Sequence, residues 1–339
     1  MRVSFLCWLG FLLAVGVGAA ADERIQAGPL LLDVYVSQTA ARFHVVDQLS
    51  EWSYFSHRQY RRDWGPLNDA DQAMLAKHKA VRARHPWGRG LEQTFYTPLP
   101  LDEALRVGTD QGWLTPKEAV TEREVLLYFA PRVDALAAAQ ASALDAFRQR
   151  MRQELAQQVP ILESFARFTG NTPGLVPVFL LPDPDARNHG GGYNGGRLTI
   201  EVPTQEDAMP TALHELFHAF IDPSKSRLAA EAQGVPGLDE ETLNEGLAYA
   251  FSPGIVHAGP AADDPLAKLV AADRAAGKRL TDPYTRFRRF GLALRPLLQD
   301  ALTDDRQTLT SFLPRAVAVW REIQGDGRGQ GLAPVRLKD

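Results

Sequence analysis

Apolar residues recur at helical spacing through most of the chain and at strand spacing in one short stretch. Phe43, Val46 and Leu49 lie three residues apart and predict a helix over 37–52. Asn68-Asp69 is a cap for a second helix reaching about Arg84, which His85, Pro86, Trp87 and Gly88 break. Thr115-Pro116 opens a third, since Pro is favoured in a first helical turn, and Pro131 is expected to end it. A long Ala-rich helix is then predicted over 135–157, with Leu144, Phe147, Met151 and Leu155 on one face. Gly170, Asn171, Pro173 and Gly174 mark a loop, where we place the main internal boundary.

Beyond that loop the period changes. An apolar run at 176–181 and the alternation of Leu198, Ile200 and Val202 predict two strands. Between them, Gly190, Gly191, Gly192, Gly195 and Gly196 suggest a phosphate cradle. The Lys and Ser/Thr of a P-loop are missing, and no helix follows directly, so the segment reads as a mobile hairpin loop or lid. From Ala208 the pattern is helical again, with breaks at Pro223, 234–237, Pro253 and Pro283. The expected fold is mainly α with a small β-sheet (α+β). An N-terminal helical region, 22–169, precedes a second region, 170–324, and a flexible tail, 325–339.

With 45% hydrophobic and 23% charged residues, the 339-residue chain has globular composition. A net charge of -4 argues against a nucleic-acid partner. For that reason the aromatic and basic stretch with Trp52, Tyr54, Phe55, Tyr60, Arg61, Arg62 and Trp64 reads as a helix burying its aromatics, not as a stacking surface. Residues 1–21 carry one charge, Arg2, then an apolar run and Ala19-Ala20-Ala21. They read as a signal peptide cut after Ala21, which implies a secreted or periplasmic protein with no stable membrane insertion after cleavage. The alternative is a retained N-terminal anchor. Cys7, the single cysteine, lies inside this segment. From Asp22 onward, metal chemistry therefore depends on His and carboxylates.

Those residues come together in one motif. His214-Glu215-Leu216-Phe217-His218 lies among apolar residues of helical spacing (Ala212, Leu213, Leu216, Phe217, Ala219, Phe220). His214 and His218, four apart, share a helix face and can offer two imidazoles to one ion. Glu215 is angled to reach a water on that ion rather than the ion itself, the geometry of HExxH. Zinc (Zn2+) suits this donor set and usually takes three protein ligands at a catalytic site. The metzincin continuation is missing, with Ile221 and Ser224 in place of its Gly and third His. A second helix begins near Glu240 and Glu241, capped by Asp239, and carries Asn244-Glu245-Gly246-Leu247-Ala248-Tyr249. Glu245 lies one turn inside it, beside Leu243 and Leu247. A buried glutamate there is costly unless it binds a metal; the alternative is an exposed glutamate on an acidic face.

The motif pair resembles the gluzincin class of zinc metallopeptidases, which includes thermolysin and zinc aminopeptidases, and is similar to that of secreted bacterial proteins. The resemblance implies a minimal zincin-like core, with His214, His218 and Glu245 as zinc ligands and Glu215 as general base and acid. It also implies an upstream edge strand that binds substrate backbone, for which Arg197–Val202 is the matching candidate. The chain departs from the class at Tyr249, where thermolysin-like enzymes place an Asp. It also has a 26-residue spacer between His218 and Glu245 and no Gly-x-Met-Glu-Asn signature. Candidates for stabilising the oxyanion are Tyr249, Tyr284, His257, Tyr193 and His189. His44, His57, His78 and His85 lack ligand spacing and read as structural or exposed. The expected function is a secreted zinc peptidase acting on a peptide or protein through a Glu-activated water. Its rivals are a non-catalytic zinc scaffold and a helical envelope binding protein. Substrate, oligomeric state and any inhibitory role of 22–169 are not encoded in these patterns.

Overall fold

The first described elements are strands, not helices. The computed structural model describes residues 21–53, 58–185, 190–258 and 263–326, so all but Ala21 of the expected signal segment lies outside it. Strand β1 (Glu23–Ala27) pairs antiparallel with β2 (Leu30–Tyr35). Next come helices α1 (Gln38–Ser50), α2 (Arg58–Trp64), α3 (Asp69–Arg82), α4 (Leu91–Phe95), α5 (Leu101–Asp110), α6 (Pro116–Gln157) and α7 (Val159–Thr169). Strands β3 (Leu175–Pro182), β4 (Gly191–Asn194) and β5 (Arg197–Val202) complete a sheet of order β1-β2-β3-β5-β4. The chain closes with α8 (Met209–Ile221), α9 (Lys225–Ala232), α10 (Glu240–Tyr249), α11 (Pro265–Ala275), α12 (Pro283–Thr303) and α13 (Leu309–Asp326). The fold is mainly α with a small mixed sheet, as the pattern predicts.

Three expectations need correction. First, the region 22–169 is not wholly helical, and its hairpin belongs to the same sheet as the strands beyond residue 170, because β2 pairs in parallel with β3. A strand covered on both faces loses the polar alternation that signals strands, and β2 reads Leu-Leu-Leu-Asp-Val-Tyr. Its one charge, Asp33, is matched across the ladder by Arg24, at 2.6 and 2.9 Å. Second, Pro131 does not end a helix, since α6 runs unbroken through it. An interior proline costs about 3 kcal/mol. Burying Val125, Leu126, Phe129 and Val133 around it offsets that, at about 1.5–3 kcal/mol for each large side chain. Third, α13 continues to Asp326, so the first two residues of the expected tail are helical; residues 327–339 lie outside the described ones.

The core lies on both faces of the sheet, and β3 serves both. Val176, Val178 and Leu180 join the C-terminal half of α6 with α7, α8, α10, α12 and α13. Phe179 and Leu181 join α1, α3, α5 and the N-terminal half of α6. Capping follows the sequence signals. Ser37 accepts the Ala40 N–H, Asn68 and Asp71 form a capping box on α3, and Thr115 and Glu118 form one on α6.

The second core has an ionised centre. His78 lies between Glu122, 2.9 Å from Nδ1, and Asp47, 3.0 Å from Nε2, and is fully buried. Arg82, also fully buried, pairs with Asp47 and Glu92, and its guanidinium lies 4.0 and 4.7 Å from the rings of Trp52 and Trp87, which also touch each other. Of the aromatic stretch, Trp52 therefore covers a cation outside any helix and Tyr60 is buried in α2. Tyr54, Phe55 and His57 lie outside the described residues. No helix among the described residues is long and apolar enough to cross a membrane.

Candidate metal centre

Helix α8 starts where Asp207 accepts the Met209 N–H at 3.0 Å and Pro210 occupies the first turn. Its apolar face is buried, and His214 and His218 emerge one turn apart, 7% and 6% exposed. A short 3₁₀ turn (Asp222–Ser224) and α9 carry the chain to α10, whose N-terminus is capped by Asp239 accepting the Thr242 N–H at 2.7 Å. This brings Glu245 onto the histidines. His214 Nε2 is 3.1 Å from Glu245 Oε2, and His218 Nε2 is 3.5 Å from Oε1. One ligand atom from each of the three falls within 4.8 Å of the others, and no other His/Cys/Asp/Glu trio among the described residues does so.

The far side of each imidazole is also fixed. His214 Nδ1 donates to the Ser252 carbonyl at 3.2 Å, and His218 Nδ1 bonds Asn244 Oδ1 at 3.0 Å. A carbonyl oxygen only accepts, so the Nδ1 positions carry hydrogens and the Nε2 positions turn towards Glu245. Two imidazole lone pairs and a carboxylate at this range repel unless a cation or added protons lie between them. The donor set therefore fits a divalent ion such as zinc. Burial disfavours the His214 cation, but the hydrogen bond and charge of Glu245 outweigh it and raise its pKa. Burial likewise pushes Glu245 up, and His218 and His214 together hold it below its ordinary value.

Glu215 stands apart from this trio. Its Oε2 is 4.0 Å from His218 Nε2. Burial raises its carboxyl above the usual range against the pull of both histidines. Strand β4 passes directly over it, and a methyl group at Gly191 would lie 2.9 Å from Glu215 Cγ. This close approach explains Gly191, while Gly195 and Gly196 sit at positive φ in the turn between β4 and β5. The segment read as a lid contains the edge strand of the sheet, whereas β5 is flanked by β3 and β4 and has no free edge. The edge candidate thus moves from Arg197–Val202 to β4, hidden in sequence because glycine weakens every strand signal.

Tyr249 and Tyr284 differ in placement. The Tyr249 ring stands edge-on to His214, 4.5 Å between centroids, and burial pushes its phenol up to about 12. Tyr284 lies 5.5 Å from the Arg288 guanidinium, which also faces Tyr249 at 5.9 Å. His257 pairs with Glu154 at 3.0 Å, and His189 lies outside the described residues. His44 bonds Glu201 and Tyr96, and His85 bonds Glu118, all away from the trio. Sequence reasoning missed Ser252, whose extended backbone (φ -133°, ψ 128°) interrupts the helical turn after α10. Pro253 was its only trace. The acceptor that orients His214 is thus a main-chain carbonyl, and the one that orients His218 is the Asn244 side chain.

Gly246 has a packing reason. A side chain there would collide with Phe290 of α12, which is fully buried against Trp320. Gly291 in turn lets α12 approach Tyr249 and the Ala250 backbone. Gly246→Ala would gain up to about 1 kcal/mol of helix propensity. It would lose about 1–3 kcal/mol to overpacking. We expect a lower melting temperature and weaker zinc binding, read by thermal unfolding and metal titration. A rise in both would overturn this account of the α10–α12 contact.

The chain matches no protein-family model, no curated protein and no solved structure.

Proposed function

We propose that the protein is an exported zinc-dependent peptidase. The observation that carries this reading is the convergence of His214, His218 and Glu245, with Glu215 beside them but outside the ligand set. A zinc ion held by the trio would supply Lewis acidity to a water and to a peptide carbonyl. Glu215 takes the proton from the attacking water and passes it to the leaving amine nitrogen. The outer edge of β4, running over Glu215, offers main-chain hydrogen bonds to an extended peptide. Tyr249 supplies an O–H next to His214 for the charge that develops on the carbonyl oxygen.

Metal analysis separates the readings. The peptidase and the zinc scaffold both require about one zinc per chain, and the envelope binding protein requires none. Glu245→Ala should lose zinc, whereas Glu240→Ala and Glu241→Ala should keep it. Zinc retained in Glu245→Ala and lost in Glu241→Ala would place the third ligand one turn earlier. Cleavage is then assayed with a broad peptide library. The whole chain is the unit to assay, since 22–169 contributes β1, β2 and α6 to the body that holds α8.

A further inference from the structure

We infer that Ser252 is a positioning residue that fixes His214 for the metal by gripping helix α8 at two points, an inference that rests on the zinc reading of the trio. Its carbonyl accepts the His214 Nδ1 hydrogen at 3.2 Å, and its hydroxyl donates to the Pro210 carbonyl at 2.7 Å. Pro210 lies four residues before His214, so in α8 its carbonyl is also the acceptor for the His214 backbone N–H. One residue thus holds both the ring of His214 and the carbonyl to which its backbone is tied. The hydroxyl hydrogen is committed to Pro210. The other neighbour of that oxygen, His257 Nδ1, stands at 3.5 Å, the outer limit of a hydrogen bond, with its Nε2 held by Glu154 at 3.0 Å. Two features make Ser252 able to do this. Its extended backbone, set between helical neighbours, turns its carbonyl towards α8, while the local turn closes on the preceding carbonyl, where the Val256 N–H reaches Phe251 at 2.9 Å. The Phe251 ring packs against Phe165 and Phe217, 5.3 and 5.4 Å between centroids, which anchors the segment in the core beside α8. Ser252 itself is fully buried, so water does not compete for either bond. An imidazole held at Nδ1 keeps Nε2 aimed at the ion without having to be ordered when the ion arrives. Without the hydroxyl, the Ser252 carbonyl loses its fixed place relative to α8, and His214 loses its aim with it.

The test reads zinc itself, on the full-length chain. Ser252→Ala keeps the carbonyl and removes the hydroxyl. Its zinc affinity, measured by competition with a chelator, should fall about tenfold, the lower end of what such outer partners contribute. Ser252→Thr keeps the hydroxyl on a side chain that suits extended backbone, and it should recover most of that affinity. Thr169→Ala is the control. It removes another buried hydroxyl, which donates to the Phe165 carbonyl at 3.1 Å within α7. It should lower the melting temperature and leave zinc affinity at the wild-type level. Wild-type affinity in Ser252→Ala, or an equal loss in Thr169→Ala, would overturn the inference. A second readout needs no metal. In the metal-free protein, the urea midpoint of the Ser252→Ala, His214→Ala double variant should fall by less than the sum of the two single shifts, because both changes break the same grip. Additive shifts would mean that the grip is not made. A wild type that takes up no zinc would overturn the zinc reading and this role with it, while the urea cycle still reports on the grip itself.

Discussion

Glu215→Gln is expected to give a folded protein that holds zinc normally and cleaves peptides at least about a hundredfold more slowly. Glutamine keeps the length of the side chain and a carbonyl oxygen, but it cannot accept a proton at neutral pH. The zinc should be unaffected because the converging atoms belong to His214, His218 and Glu245. The burial that raises the Glu215 carboxyl brings it nearer to neutral pH, where a general base works best. Metal content, melting temperature and kcat/KM on one peptide, measured side by side, decide the matter. Equal cleavage by both forms would mean that another group is the base. A wild type that binds zinc and cleaves nothing across the library would leave the scaffold.

His78→Leu should be the most damaging single change far from the metal centre. It would leave Asp47 without one ionic partner and Glu122 without its hydrogen-bonded imidazole, in a place where both are 2% exposed or less. Breaking one side of such a buried cluster costs about 3–5 kcal/mol. That is a large share of the roughly 5–15 kcal/mol by which domains are stable. The same cluster gives the wild type a pH signature. Burial alone would lower the His78 pKa, but Glu122 and Asp47 together raise it from 6.5 to about 10. The folded state thus keeps a proton that the unfolded chain releases above about pH 6.5. This contribution is complete below that pH and is lost as pH climbs through about 10. Urea unfolding at pH 6.5, 8 and 9.5 should show a falling wild-type stability, and His78→Leu should lack this part of the slope. A flat wild-type profile would mean that His78 is neutral in the fold.

The residues legible in the sequence are those whose signals are local. The i, i+4 histidines, the capped start of α10 and a glutamate among leucines all report on a single helix. What was illegible depends on partners distant in the chain. Ser252 orients His214 through a main-chain carbonyl, which no residue type announces. Arg288 faces Tyr249 from another helix, and Asn244 gains its role only once His218 is opposite it. Strand β4 was obscured by its glycines, of which Gly191 makes room for Glu215. Strand β2 was obscured because it is covered on both faces. Pro131 misled because tertiary burial outweighed a local rule. The ionised centre around His78 joins α1, α3 and α6, and charges scattered at 47, 78, 82, 92 and 122 form no motif.

The parallel pairing of β2 with β3 has a consequence for how the chain reaches its fold. Leu31 must find Leu175, with all of α1 to α7 in the loop between them. Contacts of such long sequence separation form late, after the entropy of closing the loop has been met. Until β3 arrives, the hairpin of β1 and β2 carries an open, apolar edge, the kind that joins other chains. Arg24 and Asp33 stand on that hairpin as a charged pair, and they are the only charges opposite each other along its ladder. A chain made from its N-terminus thus displays this apolar edge early and covers it only once more than half of its length has been made.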